Sequence, residues 1–517
     1  MRMLVLLALV PAIACQSRHS PSVGVPASPP PGPLSSEQPQ PATPPAPAAI
    51  SGVWLGTLHA GSKNLRIQVR IDLAKTPPSC ALDSIDQHGF GIPCSVTVTR
   101  NSRSLDVPDV HGSLVGTISD DGTTMNATWT QGDSLPLVLV RRPIAIEPPE
   151  QTFDEGMPPV DVANLKDVLD KDLETALASG DLAPGTGAGI TVGVVQHGVR
   201  RILAYGTTKA DAVFEIGSIT KTFTGLLLAQ LAEQKKVRLD EPIRALLPPG
   251  TVAAPASGPE ITLLDLSTHR SGLPRMPDNF KPADPNNEFA DYDKKALYAF
   301  IASHGVAAPA KPVYLYSNVG AGLLGQLLAD RAGTSYEALL HKEVTGPLGM
   351  RDTVITMSPA LRARFASGHD ASHQAVPAWD FDALVGAGGI HSTADDMLTY
   401  LEAQLHPDHL PPAVRSTPEG KTLAAAIAAS HVVRGEVGEG AHIALGWNRI
   451  DESGSYWHGG LTGGYNAFAV FKPENDFAVV VLSNTAAGAW SFAEAVGAHV
   501  CLRLLGKPAF SLGPPPR

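Results

Sequence analysis

One segment of the chain carries the most information about fold and chemistry: Phe214-Glu215-Ile216-Gly217-Ser218-Ile219-Thr220-Lys221-Thr222-Phe223-Thr224-Gly225. It runs into the apolar stretch 226–232, whose residue types and spacing predict a helix. Ser218 is the only serine in the sequence that stands three residues before a lysine, Lys221. Positions i and i+3 share a helix face, so the hydroxyl and the amine would meet one turn apart. The spacing predicts a serine nucleophile with its own base.

Two shorter patterns follow further along the chain. Tyr316-Ser317-Asn318 is the only place where asparagine lies two residues after a tyrosine, and His458-Gly459-Gly460-Leu461 precedes a predicted strand. Taken singly, each pattern also has a purely structural explanation, because short motifs occur by chance in a long chain. Ser218 alone is equally well a helix cap with Lys221 on a solvated face, and Tyr316-Ser317-Asn318 alone is more often a turn. Their order and wide separation favour a catalytic set.

These motifs, together with the phrases 266–274 (LSTHRSGLP) and 387–397 (AGGIHSTADDM), resemble the serine β-lactamase and penicillin-binding-protein superfamily. The nearest branch is similar to class C β-lactamases, D-alanyl-D-alanine carboxypeptidases and related esterases, over roughly residues 160–507. The resemblance implies an α+β fold, in which helices flank an antiparallel sheet and an all-helical region stands beside it. The sequence has no cluster with metal-ligand spacing, so neither a metal nor a cofactor is predicted.

The resemblance implies a role for each catalytic side chain. Ser218 attacks a carbonyl, and because a free hydroxyl is a poor nucleophile it needs a base. Lys221 accepts the proton if burial lowers its pKa; alternatively it stays charged and stabilises a Tyr316 phenolate or an alkoxide. Tyr316 passes a proton to the leaving group. The sequence leaves open whether Lys221 or Tyr316 is the general base.

The remaining predicted site residues bind the substrate. The Asn318 amide would hold a substrate amide and the Lys221 ammonium, and Gly460 would let a substrate backbone approach closely. The backbone N–H groups of Ser218 and Leu461 would form the oxyanion hole. His458 departs from class C β-lactamases, which carry lysine there, and is similar to the carboxypeptidase and esterase branches. Since histidine titrates near neutrality, the sequence predicts weaker capture of carboxylate-bearing substrates above pH ~7.

Four segments are predicted along the chain. Residues 1–15 have a basic start, a short apolar core and small residues before Cys15, which resembles a lipoprotein signal ending at a lipidated cysteine. A plain signal peptide with an incidental cysteine is the alternative. Residues 16–50 form a proline-rich tether, residues 51–145 an all-β module of unknown role, and residues 155–508 the hydrolase-like domain. The predicted location is the periplasm, on a bacterial membrane, with the outer membrane favoured.

Charge and cysteine usage agree with export. The net charge of −11 and the absence of a long basic run argue against nucleic-acid binding and leave the lipid anchor as the membrane contact. Cys80 and Cys94 lie in one small domain, where an oxidising compartment makes a disulfide plausible. Cys501 is predicted to be free and buried.

Local patterns in the second domain predict its sheet and two helix starts. A hairpin is expected around His197-Gly198 and a second around Asn475-Asp476, followed by a helix over 491–505. Strands at both ends of the domain would share one sheet. Ser392-x-x-Asp395 and Thr262-x-x-Asp265 both match capping boxes.

The sequence therefore predicts an exported serine hydrolase that forms an acyl-Ser218 intermediate on an amide or ester. Its substrate would be a small molecule or a peptide, such as a fragment derived from peptidoglycan. Two alternatives stay open: a true class C-type β-lactamase, and a catalytically inactive envelope-binding protein.

Overall fold

The computed structural model describes residues 50–512, except 61–62, 76–77, 86–88, 99–102, 108–111, 132, 147–152, 253–257, 439 and 487–490. The predicted signal peptide with Cys15, and the predicted tether up to residue 49, lie outside the described residues. The chain divides into two compact units, Met1–Pro149 and Glu150–Arg517. No described helix combines the length and apolarity needed to cross a membrane.

The first unit is an antiparallel sheet. Its described strands are β1 (Gly52–Ala60), β2 (Lys63–Asp72), β3 (Ser79–Ser84), β4 (Gly89–Pro93), β5 (Ser95–Val98), β6 (Arg103–Val107), β7 (Gly112–Ile118), β8 (Thr124–Gln131) and β9 (Asp133–Arg142). They pair in the order β4-β3-β2-β1-β9-β8-β7-β6-β5. Alternating residues of these strands bury one face, which holds fully buried side chains such as Trp54, Val69, Leu114 and Leu139.

The two edges of this sheet approach each other. Cys80 in β3 and Cys94, directly before β5, are joined by a disulfide, and the Cys94 N–H donates to the Cys80 carbonyl (3.2 Å). β3 and β5 therefore lie close together although they stand near opposite ends of the pairing order. The sheet curls toward a closed barrel at this point.

Asp83 holds one hairpin of the first unit in place. Its carboxylate is fully buried and accepts hydrogen bonds from Gln68 (2.7 Å), from the Arg70 guanidinium (2.7 and 2.8 Å) and from the Gly91 backbone N–H (2.7 Å). A buried charge needs such partners to be tolerated. The contacts give Asp83 a structural role.

The second unit contains the remaining strands and the helices. The strands are β10 (Phe153–Asp154), β11 (Gly189–Gln196), β12 (Val199–Gly206), β13 (Val213–Glu215), β14 (Gly368–His369), β15 (Ala375–Val376), β16 (His391–Thr393), β17 (Gly435–Gly438), β18 (Ala441–Ile443), β19 (Asn448–Ile450), β20 (Tyr456–Leu461), β21 (Asn466–Lys472), β22 (Phe477–Ser483) and β23 (Ala509–Phe510). The helices are α1 (Leu165–Asp172), α2 (Glu174–Ser179), α3 (Thr220–Glu233), α4 (Leu263–Ser267), α5 (Lys294–His304), α6 (Asn318–Ala332), α7 (Tyr336–Leu340), α8 (Gly346–Leu348), α9 (Pro359–Arg362), α10 (Val385–Gly388), α11 (Ala394–Leu405), α12 (Pro412–Arg415), α13 (Gly420–Ser430) and α14 (Phe492–Leu504).

The main sheet of this unit has the order β12-β11-β22-β21-β20-β19-β18-β17 and is antiparallel throughout. β21 and β22 are buried along their whole length because hydrophobic clusters cover both faces. One cluster includes α1 and α14, and the other includes α3, α6 and α11. The α+β prediction, with strands from both ends of the domain in one sheet, is confirmed.

Of the two predicted capping boxes, one is present. The Thr262 side chain accepts from the Asp265 N–H at the start of α4, and the Asp265 carboxylate accepts from the Thr262 N–H. The prediction for Ser392 was wrong, because Ser392 still pairs in β16 and Thr393 caps α11 by accepting from the Asp396 N–H.

A buried ionic network joins the start of the second unit to its last helix. Asp172, at the end of α1, accepts from Arg503 Nε (2.7 Å) and from His499 Nε2 (2.8 Å) of α14. Arg503, 1% exposed, also donates to the Glu155 carbonyl (2.8 Å) and to Asp154 (3.3 Å). Asp154, Asp172 and His499 come close enough to bind a cation. The Arg503 guanidinium already pairs with both carboxylates, so we interpret the cluster as an ion-pair network.

Candidate active site

Ser218 lies in a tight turn between β13 and α3. Residues Gly217–Ile219 form a 3₁₀ turn that continues into α3, and Ser218 is half-buried there. Gly217 has φ +49°, and a Cβ at this position would lie 2.6 Å from the Leu461 nitrogen at the end of β20. The turn therefore packs directly against the strand that carries the second predicted oxyanion donor. Only glycine meets both the backbone angle and this close approach.

Lys221 reaches Ser218 from the first turn of α3. Its side chain is buried, and Nζ donates to Ser218 Oγ (2.9 Å) and to the Ala387 carbonyl in α10 (2.7 Å). Burial lowers the pKa of Lys221, and the nearby Tyr316 only partly opposes this effect. The lysine is therefore more easily deprotonated than an exposed one, as a proton acceptor for Ser218 requires.

Tyr316 lies against the same ammonium group. Lys221 Nζ is 4.9 Å from the centroid of the phenol ring. Burial acts to raise the pKa of Tyr316, but the charges of Lys221 and Arg275 and the hydrogen bonds from Lys221 and Ser218 outweigh it and lower the pKa. Two groups this close titrate as a pair. Either one can hold the proton that Ser218 gives up.

The loop 269–276 positions the Tyr316-Ser317-Asn318 motif. Ser317 caps α6 by accepting from the Gly320 N–H (2.8 Å), and its hydroxyl donates to the Pro274 carbonyl (2.7 Å). The Asn318 N–H donates to the Arg275 carbonyl (2.9 Å), and the Asn318 side chain contacts Met276 Sδ (3.6 Å). The Asn318 side chain therefore contacts Met276, while Lys221 Nζ binds Ser218 Oγ and the Ala387 carbonyl, so the predicted contact between Asn318 and the Lys221 ammonium is not formed.

His269 is a site residue to which the sequence analysis gave no role. Its ring lies 4.5 Å from that of Tyr316, and Nδ1 accepts from the Ser317 N–H (3.1 Å). Burial, then the nearby cations, lower its pKa well below the ordinary value, so the ring is neutral. His269 has a left-handed backbone (φ +56°), which is uncommon for a residue other than glycine. Such a role was not readable from the sequence, because His269 belongs to no catalytic motif.

His458 does not titrate near neutrality, although the sequence predicted that it would. It is 5% exposed in β20, and its Nδ1–H donates to the Gly459 carbonyl (2.6 Å), so Nε2 carries a lone pair. Burial, then the Lys221 charge, lower the pKa of His458 to about 3. The predicted loss of a positive charge near pH ~7 was wrong, because it used the reference pKa of an exposed imidazole.

We therefore expect the charge state of His458 to leave substrate capture unchanged near neutrality. The ratio of the KM values of the wild type and His458→Gln should stay constant from about pH 5.5 to about 8.5, a window around the reference pKa. Steady-state kinetics with one carboxylate-bearing substrate measure this ratio. A ratio that changes sigmoidally within the window would mean that His458 titrates there after all.

The end of β20 completes the site. A Cβ on Gly460 would overlap the Ile216 carbonyl oxygen, so this glycine lets the strand pack on the nucleophile turn. The Gly460 carbonyl accepts from the Asn466 side chain (3.1 Å), which ties it to β21. Leu461 follows beside Gly217, so the segments that carry the two predicted oxyanion donors, Ser218 and Leu461, pack against each other.

Gly217→Ala should reduce kcat/KM by about 10²-fold or more, because displacing β20 by about 1 Å disturbs the reacting geometry. Gly333→Ala is the matched control. Gly333 also has a left-handed backbone (φ +67°), but a Cβ there would meet open space at the end of α6. The control should lose stability and keep its kcat/KM. Equal kinetic losses in both variants would contradict a special role for the contact between Gly217 and Leu461.

The comparisons with known proteins place this geometry in a family. The family model described as Beta-lactamase matches residues 176–500. The chain belongs to the beta-lactamase family. The match spans the nucleophile turn, the loop 269–276 and the end of β20, and the predicted superfamily is confirmed.

Individual relatives of this beta-lactamase-family chain carry several names. The D-alanyl-D-alanine-carboxypeptidase/endopeptidase AmpH of Escherichia coli (strain K12) is 31% identical over 233 residues, which cover 43% of this chain and 59% of that protein. A beta-lactamase of Pseudomonas fluorescens is 27% identical over 363 residues, 62% of this chain and 94% of the relative. The alignment with AmpH thus spans less than two thirds of the relative.

Solved structures show the same fold. A class C beta-lactamase from Rhodobacter sphaeroides has a TM-score of 0.54 at 24% identity, covering 66% of this chain and 98% of its own. A class C beta-lactamase mutant has a TM-score of 0.55 at 21% identity, and the match covers 68% of this chain and 99% of the mutant's chain.

Proposed function

We propose that the second unit is a serine hydrolase that forms an acyl-Ser218 intermediate on an amide or ester substrate. The observation that best supports this proposal is the 2.9 Å contact between Lys221 Nζ and Ser218 Oγ. The Tyr316 ring lies against the same ammonium group. A peptide ending in D-alanyl-D-alanine is the first substrate to test, because AmpH is named for that activity. An ester is the second.

The proposed reaction has two halves. Ser218 Oγ attacks the carbonyl carbon while its proton passes to the Lys221–Tyr316 pair, and the N–H groups of Ser218 and Leu461 stabilise the oxyanion. Tyr316 then protonates the leaving group as the acyl-enzyme forms. Water attacks the acyl-enzyme in the second half, again losing a proton to the pair, and Ser218 is regenerated.

A β-lactamase is the second candidate activity. The alignment with the Pseudomonas fluorescens beta-lactamase extends over 94% of that relative. The same acyl-Ser218 chemistry would open a β-lactam ring. The alternative of an inactive binding protein is disfavoured, because the nucleophile and both candidate bases are present and in contact.

Active-site labelling tests the proposal. Purified protein is incubated with a fluorescent penicillin and, separately, with a fluorophosphonate, beside Ser218→Ala and the control Ser179→Ala at an exposed serine. A persistent penicillin adduct indicates a carboxypeptidase-like site, rapid turnover a β-lactamase, and fluorophosphonate labelling alone an esterase. Labelling by neither probe, or labelling that survives Ser218→Ala, would refute the proposal.

Export and anchoring are part of the same proposal. The signal-like residues 1–15 support lipidation of Cys15, and residues 16–50 would then tether the protein to a membrane. In the sequence, the β module follows the tether and precedes the hydrolase-like domain. Labelled palmitate should enter the wild type and not Cys15→Ser. Equal incorporation into both would contradict the lipid anchor.

A further inference from the structure

Glu215 carries a buried carboxyl group that the proposed reaction does not use. It is the last residue of β13 and stands three positions before Ser218. The side chain is 3% exposed, and Oε1 accepts from the Trp379 N–H (2.7 Å). Within the described residues, Oε2 has no hydrogen-bond partner. Buried polar groups are almost always paired, so an unpaired oxygen beside the nucleophile turn needs a physical reason.

A second unpaired polar group lies next to this carboxyl group. Thr462 directly follows Leu461, and its buried hydroxyl also has no partner among the residues that the structure describes. The hydroxyl lies close enough to Glu215 to affect the pKa of the carboxyl group. If Oε2 carries a proton, it can donate to Thr462 Oγ1, and both groups are then satisfied.

Glu215 therefore lies where three segments meet around the nucleophile turn. The Trp379 indole, in the loop before α10, lies against Gly463 after β20. A Cβ on Gly460 would overlap the Ile216 carbonyl oxygen, so β20 packs directly on the residue that follows Glu215. A shift of Glu215 would move the nucleophile turn relative to the strand that carries the second predicted oxyanion donor.

The surroundings of Glu215 favour the neutral acid. Burial raises its pKa to about 7, the neighbouring hydroxyl and N–H groups partly oppose this effect, and the Asp380 charge adds to it. Two further titratable groups face the carboxyl group. His391 is its partner across the β13–β16 pair and has a pKa lowered by burial, and the pKa of Tyr465, after β20, is raised by burial and by the Glu215 charge. None of these groups supplies a cation near neutrality.

We propose that Glu215 is a positioning residue: as a neutral acid it holds the nucleophile turn on the end of β20, by donating to Thr462 while accepting from the Trp379 N–H. This inference rests on the proposed acyl-Ser218 function. Ionisation would leave a buried charge with one unpaired oxygen, which costs far more than an unpaired neutral group. The junction would then open, and the two predicted oxyanion donors would move apart.

The pH dependence of serine labelling tests this inference. The rate constant is measured with whichever probe, fluorescent penicillin or fluorophosphonate, labels Ser218. Glu215→Gln keeps both contacts and does not ionise, because the amide accepts from the Trp379 N–H and donates to Thr462. The ratio of the variant to the wild type should rise about tenfold from about pH 6 to about pH 8, because a carboxyl group with a pKa of about 7 ionises within this range. The ratio cancels the titration of the Lys221–Tyr316 pair.

Glu494→Gln is the matched control. Burial raises the pKa of Glu494 to about 7 as well, and its carboxyl group lies against Gly459 of β20, but from α14 rather than from the nucleophile turn. Its ratio to the wild type should stay constant over the same pH range. Thr462→Val removes the acceptor and should slow labelling about 2-fold to 10-fold at the acidic end, the range for one neutral hydrogen bond. Thr462→Ser should restore the rate.

The outcomes separate this inference from the proposed function. If Ser218 is labelled but the ratio for Glu215→Gln stays constant, or Glu494→Gln shows the same rise, the role of Glu215 is wrong and the serine hydrolase stands. Should Glu215→Gln fail to fold, equal rates in Thr462→Val and Thr462→Ser would contradict the inference. Labelling by neither probe, or labelling that survives Ser218→Ala, would refute the proposed function and this inference with it. A rise confined to Glu215→Gln, with slow labelling of Thr462→Val alone, supports both.

Discussion

Lys221→Met is expected to lower kcat/KM by about 10³-fold while the protein stays folded. The variant removes the group that lies 2.9 Å from Ser218 Oγ and shares its proton with Tyr316. General acid–base groups contribute about 10²-fold to 10⁴-fold. Acylation rates measured in single turnover with a chromogenic ester give the loss directly.

Stability should respond weakly to the same change. Methionine fills similar volume without a buried charge, and the cost of desolvating an ammonium disappears. The Ala387 carbonyl loses its donor, at about 1–3 kcal/mol, which offsets that gain. Lys166→Met, at an exposed lysine paired with Asp170, is the control and should change neither quantity. A loss below about tenfold would assign the proton transfer to Tyr316 alone.

Asp172→Asn is expected to destabilise the second unit by about 3–5 kcal/mol, the usual cost of breaking a buried ion pair by removing one partner. Asp172 is the carboxylate that receives both Arg503 Nε (2.7 Å) and His499 Nε2 (2.8 Å). Asparagine keeps the shape of the side chain and removes its negative charge. The buried Arg503 guanidinium then loses the carboxylate that stabilises its positive charge. Urea unfolding measures the change.

The control for this variant is Asp170→Asn, whose ion pair with Lys166 is exposed and one helix turn apart. Such pairs contribute about 0.3–0.5 kcal/mol. A similar small effect at both positions would show that the network around Arg503 adds little to stability.

The Asp172 network also predicts a direction for acid sensitivity. Burial acts to raise the pKa of Asp172, but hydrogen bonds and charge from His499 and Arg503 outweigh it and lower the pKa. A carboxyl group with a lowered pKa in the folded state stabilises the fold above its unfolded pKa of about 3.9. That contribution is lost as the pH falls through the folded value. The stability difference between the wild type and Asp172→Asn should therefore shrink in acid below about pH 4.

Local sequence patterns predicted the hairpins and one helix cap because neighbouring residues determine them. The turns at His197-Gly198 and Asn475-Asp476 lie between strands whose β-forming residues are adjacent in the chain. The error at Ser392 has the same origin. A capping pattern does not reveal that its first residue is still paired with β13, which comes from a distant segment.

The sequence by itself determined that Ser218 and Lys221 meet, because one turn of helix brings the two side chains together wherever that helix lies. It also determined the family, through motifs whose order is written in the chain. Only the tertiary structure decided the protonation state of His458 and the position of the Arg275 charge. His458 is neutral because burial and the Lys221 ammonium lower its pKa, and Arg275 faces Tyr316 because the loop 269–276 packs on the start of α6. Burial and charge proximity depend on segments far apart in sequence, so no local pattern contains them.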